Sequence, residues 1–181
     1  MEKNLVLIAL FAALIAALGL IPQITLAFGV PITAQSLGVM LCGTVLGAKR
    51  GALAVGLFVL LVALGLPLLS GGRGGLGVFQ SPTVGFVIGF PIAAFVAGWI
   101  VETWRGGALL WVAIVGALLG GVVALYIPGI IGLSVVLDKT IVEAAKLVAI
   151  FIPGDIVKAV IAGLITSALA QARPDSVLSR S

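Results

Sequence analysis

Histidine is absent from this sequence, and cysteine occurs once, as Cys42. Without imidazole or paired thiols, the usual zinc and haem sites, His-based acid–base catalysis and disulfide frameworks are excluded, and no metal site is expected. Cys42 reads as a small packing residue. Charge is equally scarce at 9% of residues, against about 25% in ordinary soluble domains. No polar stretch is long enough to fold as a second unit in water, so the expectation is a single membrane domain over residues 1–181 with no soluble catalytic part. A G-x-x-x-x-G-K-[ST] loop is also missing, so this chain cannot itself hydrolyse ATP.

What is abundant is apolar: 62% of residues are hydrophobic and the mean hydropathy is +1.37. The opening run "MEKNLVLIALFAALIAALGL" outlasts a secretory signal core of about 7 to 15 residues and is followed by further apolar segments, so it reads as a first spanning helix. Gly, Pro and charge divide the rest, predicting an all-α integral membrane protein with six transmembrane helices at roughly 3–20, 32–47, 50–66, 82–103, 107–127 and 153–171. The second is short and polar at its start, which suits a broken or re-entrant helix shielded by protein. Between the fifth and sixth, "VVLDKTIVEAAKLVAIFIP" carries Lys139, Glu143 and Lys146 at i,i+4 and i,i+3 spacing, and predicts an interfacial amphipathic helix over about 138–150.

The net charge of +4 reports topology here, not a nucleic-acid partner. Lys3, Lys49, Arg50, Arg105, Arg173 and Arg180 fall on one side of the predicted spans; Arg73, Lys139 and Lys146 fall on the other. The excess places both termini in the cytoplasm of a multi-pass protein of the cytoplasmic (inner) membrane. The loop holding Arg73 and the start of the sixth helix are then external.

Four segments could carry function. "SGGRGGLG" sets Gly72, Gly74 and Gly77 at the spacing of a dinucleotide-binding loop, but that loop needs a strand before it and a helix after it; here the preceding segment is membranous and no βαβ unit exists. Arg73, between glycine pairs, suits either a carboxylate clamp or an external loop with a stray cation. "FIPGDIVKAVIAG" places Asp155 and Lys158 on one helical face behind a first-turn Pro153. Ionisable residues in a span normally face a cavity or a partner, although an Asp–Lys pair near the interface can also satisfy itself. Gln35 and Thr33, where the chain re-enters the membrane, and Tyr126, at the outer end of the fifth helix, map to the same side. On the first helix, Ala9, Ala13 and Ala17, reinforced by Ala12 and Ala16, make a small-residue strip that fits packing within the bundle or against a partner helix.

The stretches "VPITAQSLGVMLCGTVLGAKRGALAVGLFVLLVALGLPLLSGGRGGLGVFQSPTVGFVIGF" and "FIPGDIVKAVIAG", in that order, resemble the BioY family, the biotin-binding S components of energy-coupling factor (ECF) transporters. The resemblance runs from about residue 5 to residue 168. It implies an S-component-like bundle of six helices that binds biotin from outside and takes it up with high affinity, together with a transmembrane coupling subunit and two ATPase subunits. It also selects the partner reading of Ala9, Ala13 and Ala17. Ser81 and Val84 stand where the family commonly has Gly.

Biotin has two ureido N–H donors, a ureido carbonyl and an anionic tail. The resemblance implies Asp155 for the N–H groups, Lys158 for the ureido carbonyl or the tail, and Arg73 for the tail carboxylate, with Gln35, Thr33 and Tyr126 as further polar contacts. Gly72, Gly74 and Gly75 would let the loop act as a gate. An anion would leave Arg73, Lys158 and Asp155 near net neutrality. No cofactor is implied, biotin being the transported ligand, and no enzyme is expected. The alternative is a stand-alone or ion-coupled secondary carrier for a small anionic vitamin, since an intramembrane Asp can relay protons, but no inverted repeat of interrupted helices is evident.

Overall fold

The computed structural model describes residues 2–180; Met1 and Ser181, the ends of the expected 1–181 domain, and the Lys3 side chain lie outside the described residues. The chain is an all-α membrane bundle of six helices: α1 (Glu2–Leu18), α2 (Gln35–Leu46), α3 (Ala48–Ala63), α4 (Val84–Thr103), α5 (Leu109–Val136) and α6 (Ile141–Ala172). The last three are long and apolar enough to cross a membrane, while α1 and α2 are shorter apolar helices. A two-stranded antiparallel hairpin, β1 (Ile24–Thr25) and β2 (Pro31–Ile32), joins α1 to α2. Large apolar side chains face outward at helical spacing, for example Ile88, Ile92, Phe95 and Trp99 on α4 and Val123, Ile127, Ile131 and Val135 on α5. Such stripes suit lipid, because water would penalise them.

α2 sits at the centre, packed by all five other helices, and every residue in it except Leu37 is buried. Its twelve residues reach only about 18 Å, well short of a bilayer core of about 30 Å, and its backbone is shielded by protein as a short intramembrane helix requires. Close approach of α4 depends on missing side chains. A Cβ on Gly43 would strike the Ala94 carbonyl, and one on Gly98 would strike the Gly47–Ala48 peptide.

Four boundaries depart from the sequence reading. α2 begins at Gln35 because residues 31–32 pair as β2. α3 spans 48–63, not 50–66, and the chain leaves it through Gly65 at φ +107°. The fifth helix does not stop at 127: residues Leu119–Ala124 wind as π-helix, with Leu125 N–H donating to the Gly120 carbonyl, and the helix runs on past Pro128 to Val136. Proline removes a donor and crowds the preceding turn, and a local π turn re-satisfies the freed groups. The amphipathic segment is a helix only over Ile141–Val148, capped by a reciprocal Thr140–Glu143 box. Lys139 lies ahead of that cap, so it does not share the helical face assigned to it. The segment then passes through a 3-10 turn at Ala149–Phe151 directly into the rest of α6.

The C-terminal tail, which the sequence reading left without structure, folds back onto the bundle. Val177, Leu178 and Ser179 are buried. The Ser179 N–H donates to the Val45 carbonyl at 3.0 Å and its hydroxyl donates to the Thr44 carbonyl at 2.6 Å. These are among the last carbonyls of α2, which no helical N–H can reach.

Candidate binding site

At the end of the bundle opposite the tail, a cavity of about 560 Å³, its mouth included, opens between β2, α2, the loop after α3, α4, α5 and α6. Its walls are mostly apolar: Val30, Phe86, Val87, Phe90, Leu125 and Phe151. Phe86 stands edge-to-face against both Tyr126 and Phe151, with centroids 6.4 and 6.0 Å apart.

Polar atoms are few and converge on one carboxylate. Asp155, 5% exposed, sits in the first turn of the segment that starts at Ile152, behind Pro153. Tyr126 donates its hydroxyl to Oδ2 at 2.7 Å. Lys158 Nζ donates to Oδ1 at 2.9 Å and to Ser36 Oγ at 2.9 Å. Ser36 in turn donates to Oδ1 at 3.2 Å. The carboxylate is therefore neutralised and held by groups from α2, α5 and α6. It keeps about one of its four acceptor directions open. A buried carboxylate paired in this way is stable only while its partners remain.

Arg73 lines the same cavity. It donates from Nε to the Ser70 carbonyl at 3.3 Å and from Nη1 to Thr83 Oγ1 at 3.4 Å. Burial lowers its guanidinium below the ordinary arginine value, and among the described residues no carboxylate pairs with it. It is thus a partly desolvated cation facing the cavity without a counter-ion.

Gln35 behaves differently from its neighbours. It is 2% exposed, donates from Nε2 to the Ile15 and Leu68 carbonyls at 3.1 and 3.0 Å, and accepts at Oε1 from the Ser70 N–H and hydroxyl at 2.9 and 3.2 Å. Both donors and both lone pairs are used, so the amide fastens the glycine loop to α1 and α2. Thr33, on the cavity wall, accepts from the Gln35 N–H at 3.2 Å and keeps its own hydroxyl proton free for another acceptor.

The glycine loop has a defined shape. Leu69 and Arg73 exchange two backbone hydrogen bonds, of 3.0 and 3.2 Å. Gly72 and Gly75 take φ of +69° and +81°, and a Cβ on Gly74 would collide with the Leu66 carbonyl. At Ser81, where the family commonly has Gly, φ is −97° and the hydroxyl bonds to the Val78 carbonyl and Thr83 Oγ1, so the serine fits without strain.

On α1, Ala9, Ala13 and Ala17 are exposed along one line, whereas Ala12 is buried and Ala16 half-buried. The latter two face the bundle and do not reinforce the strip. Ala13 and Ala17 instead border a shallow apolar groove with Leu10, Phe11 and Leu14.

The sequence reading missed Ser36, Thr83 and the aromatic walls. Ser36 carried a weak signal as a hydroxyl beside Gln35 at the start of a buried helix; its partner Asp155 lies 119 positions away, beyond any local pattern.

The model of the BioY family matches residues 2–175. The biotin transporter BioY of Rhodobacter capsulatus is 53% identical over 189 residues, covering 99% of this chain and 100% of that protein. The biotin transporter BioY of Rhizobium etli is 51% identical over 173 residues, covering 92% of each. Among solved structures, the crystal structure at 2.1 Å of the S-component for biotin from an ECF-type ABC transporter superposes with a TM-score of 0.88 at 32% identity, covering 94% of this chain and 92% of that one.

Proposed function

The chain belongs to the BioY family, and from that premise we propose that it binds biotin at the cavity around Asp155 and serves as the substrate-specific subunit of an ECF-type transporter. The observation that carries the reading is the arrangement of charge. A lone, desolvated arginine and a neutralised Asp–Lys pair bound an otherwise apolar cavity, which matches a ligand with an anionic tail, an apolar body and a polar urea. Asp155 accepts the ureido N–H groups. With about one acceptor direction open, it does so by releasing Lys158 from Oδ1 to the ureido carbonyl, while Tyr126 and Ser36 keep the carboxylate aimed. Arg73 takes the tail carboxylate, with Thr33 and Thr83 beside it. Gly72, Gly74 and Gly75 shape the loop tip that carries Arg73 over the tail, and Gln35 anchors the base of that loop. The filled site is neutral: two cations against Asp155 and the ligand carboxylate.

The protein acts by binding; it holds no ATPase motif, and energy comes from other chains. The exposed strip Ala9, Ala13 and Ala17 admits close approach of a transmembrane coupling subunit, which two ATPase subunits drive. The shared end of Arg50, Arg105 and Arg180 faces the cytoplasm of the inner membrane by the excess of basic residues, with both termini on that side.

Equilibrium binding of biotin and of its methyl ester to the purified chain tests the reading. Asp155→Asn should weaken biotin about 100-fold or more, since truncating a buried charge pair costs on the order of 3 kcal/mol. Arg73→Ala should weaken biotin about tenfold or more yet leave the neutral ester nearly unchanged. Unaltered affinity in Asp155→Asn would overturn the ureido assignment, and absence of binding to folded wild-type protein would overturn the ligand.

A further inference from the structure

The tail end of the bundle holds a second polar cluster that biotin does not use. Arg105 donates from Nε to the Glu102 carbonyl at 2.7 Å and from Nη1 to the Arg180 carbonyl at 3.1 Å. Arg180 answers with Nη2 on the Trp104 carbonyl at 3.1 Å. Each guanidinium thus grips the backbone beside the other, and two like charges are held together. Three of their ten N–H groups make these bonds, and Arg180 Nε is buried without a partner among the described residues. Among the described residues no salt bridge to either guanidinium is formed: the acid nearest in sequence to Arg105, Glu102, accepts the Ala48 N–H at 3.0 Å, and the salt bridge they do contain, Lys158–Asp155, lies at the opposite end. Burial, and then the neighbouring Arg105 charge, push the Arg180 guanidinium below its ordinary value.

All three tryptophans of the chain lie at this end of the bundle: Trp99 in the last turns of α4, Trp104 just after it, where its carbonyl meets Arg180, and Trp111 at the start of α5, with exposures of 55%, 49% and 65%. Large exposed indoles in a membrane protein mark the level where lipid headgroups meet acyl chains. Trp99 continues the outward apolar stripe of α4, so the cluster borders the lipid-facing surface.

The geometry points to a binding site for the headgroup of an anionic phospholipid, its phosphate seated between Arg105 and Arg180 and its glycerol and chains against Trp104, Trp99 and Trp111. Two forked guanidiniums offer the donors a phosphate takes, and the added negative charge removes the repulsion between them. Because Arg105 and Arg180 also pin the tail, an occupied site fixes Ser179 in its cap on α2. Lipid composition therefore sets how firmly the central helix is closed at that end.

Native mass spectrometry of the full-length chain, released from neutral detergent with equal phosphatidylglycerol and phosphatidylcholine, gives the first test. Two arginines at roughly fivefold each predict on the order of twentyfold preferential retention of one phosphatidylglycerol. Hydrogen exchange should slow over residues 177–180 with phosphatidylglycerol but not with phosphatidylcholine or inorganic phosphate. In R105Q/R180Q both effects should vanish while biotin affinity is unchanged. Equal retention of the two lipids by wild-type protein overturns the proposal, whether or not the variant folds. So does the same protection from inorganic phosphate, which would mark a free-anion site, or a preference that survives in the double variant.

Discussion

Two loops cover the pocket, and they are held in opposite ways by two glutamines. In the glycine loop after α3, Leu69 and Ser70 are buried, the backbone closes on itself at Leu69–Arg73, Gly75 N–H reaches the Val62 carbonyl at 2.7 Å, and Gln35 spends all its hydrogen-bonding capacity on the loop and α1. The hairpin 24–32 has two ladder pairs and outward-facing Ile24 at 64% exposure. Its Phe28 meets Phe151 edge-to-face at 6.1 Å, and at its base Gln23 Oε1 is buried without a partner. Glycine content therefore does not measure looseness. Left-handed glycines specify one shape in a fastened loop, while the hairpin with few glycines has the weaker attachments.

The sharpest way to break this contrast is Gln35→Ala. It orphans the Leu68 carbonyl and the Ser70 N–H at about 1 to 3 kcal/mol each, while the Ile15 carbonyl keeps the Gly19 N–H, so thermal unfolding should show a loss of about 3 kcal/mol, with exchange rising over residues 68–73. A loss below about 1 kcal/mol would mean the loop is not fastened there. Gly74→Ala should come next, destabilising by about 2 kcal/mol through the collision with Leu66, and biotin affinity should fall with it. Phe28→Ala should destabilise by about 1 to 2 kcal/mol, the edge-to-face pair of about 0.5–1.5 kcal/mol plus part of the half-buried ring's area, while speeding biotin release several-fold; stopped-flow dissociation reads this directly. The smallest effect belongs to Gly77→Ala. That glycine has no positive φ and nothing within 4 Å of a Cβ, so melting and binding should be unchanged within about 0.5 kcal/mol. A large loss at Gly77 would revive a ligand-cradling role for the third glycine of the fingerprint.

The helices were legible because apolar runs broken by Pro, Gly and charge are a local signal, and Asp155, Lys158, Tyr126, Arg73 and Thr33 could be put at one end because a bundle with alternating spans brings them there. What escaped was long-range or permissive. Pro128 reads as a stop, and only the π turn before it shows why the helix continues. Gln35 reads as a ligand contact, because sequence gives the amide but not the four groups that saturate it. Ser179 reads as part of a polar tail, since the Thr44 carbonyl its hydroxyl caps lies 135 positions away.

The placement of the aromatic chromophores has a practical side. The indoles all lie at the tail end, and the cavity is lined by Tyr126 and phenylalanines without a tryptophan. Tryptophan emission is therefore a reporter of the membrane boundary at the far end and receives no direct contact from a molecule in the pocket. If adding biotin changes its intensity or wavelength, the change is an optical record of strain carried along the bundle, obtained without attaching any label.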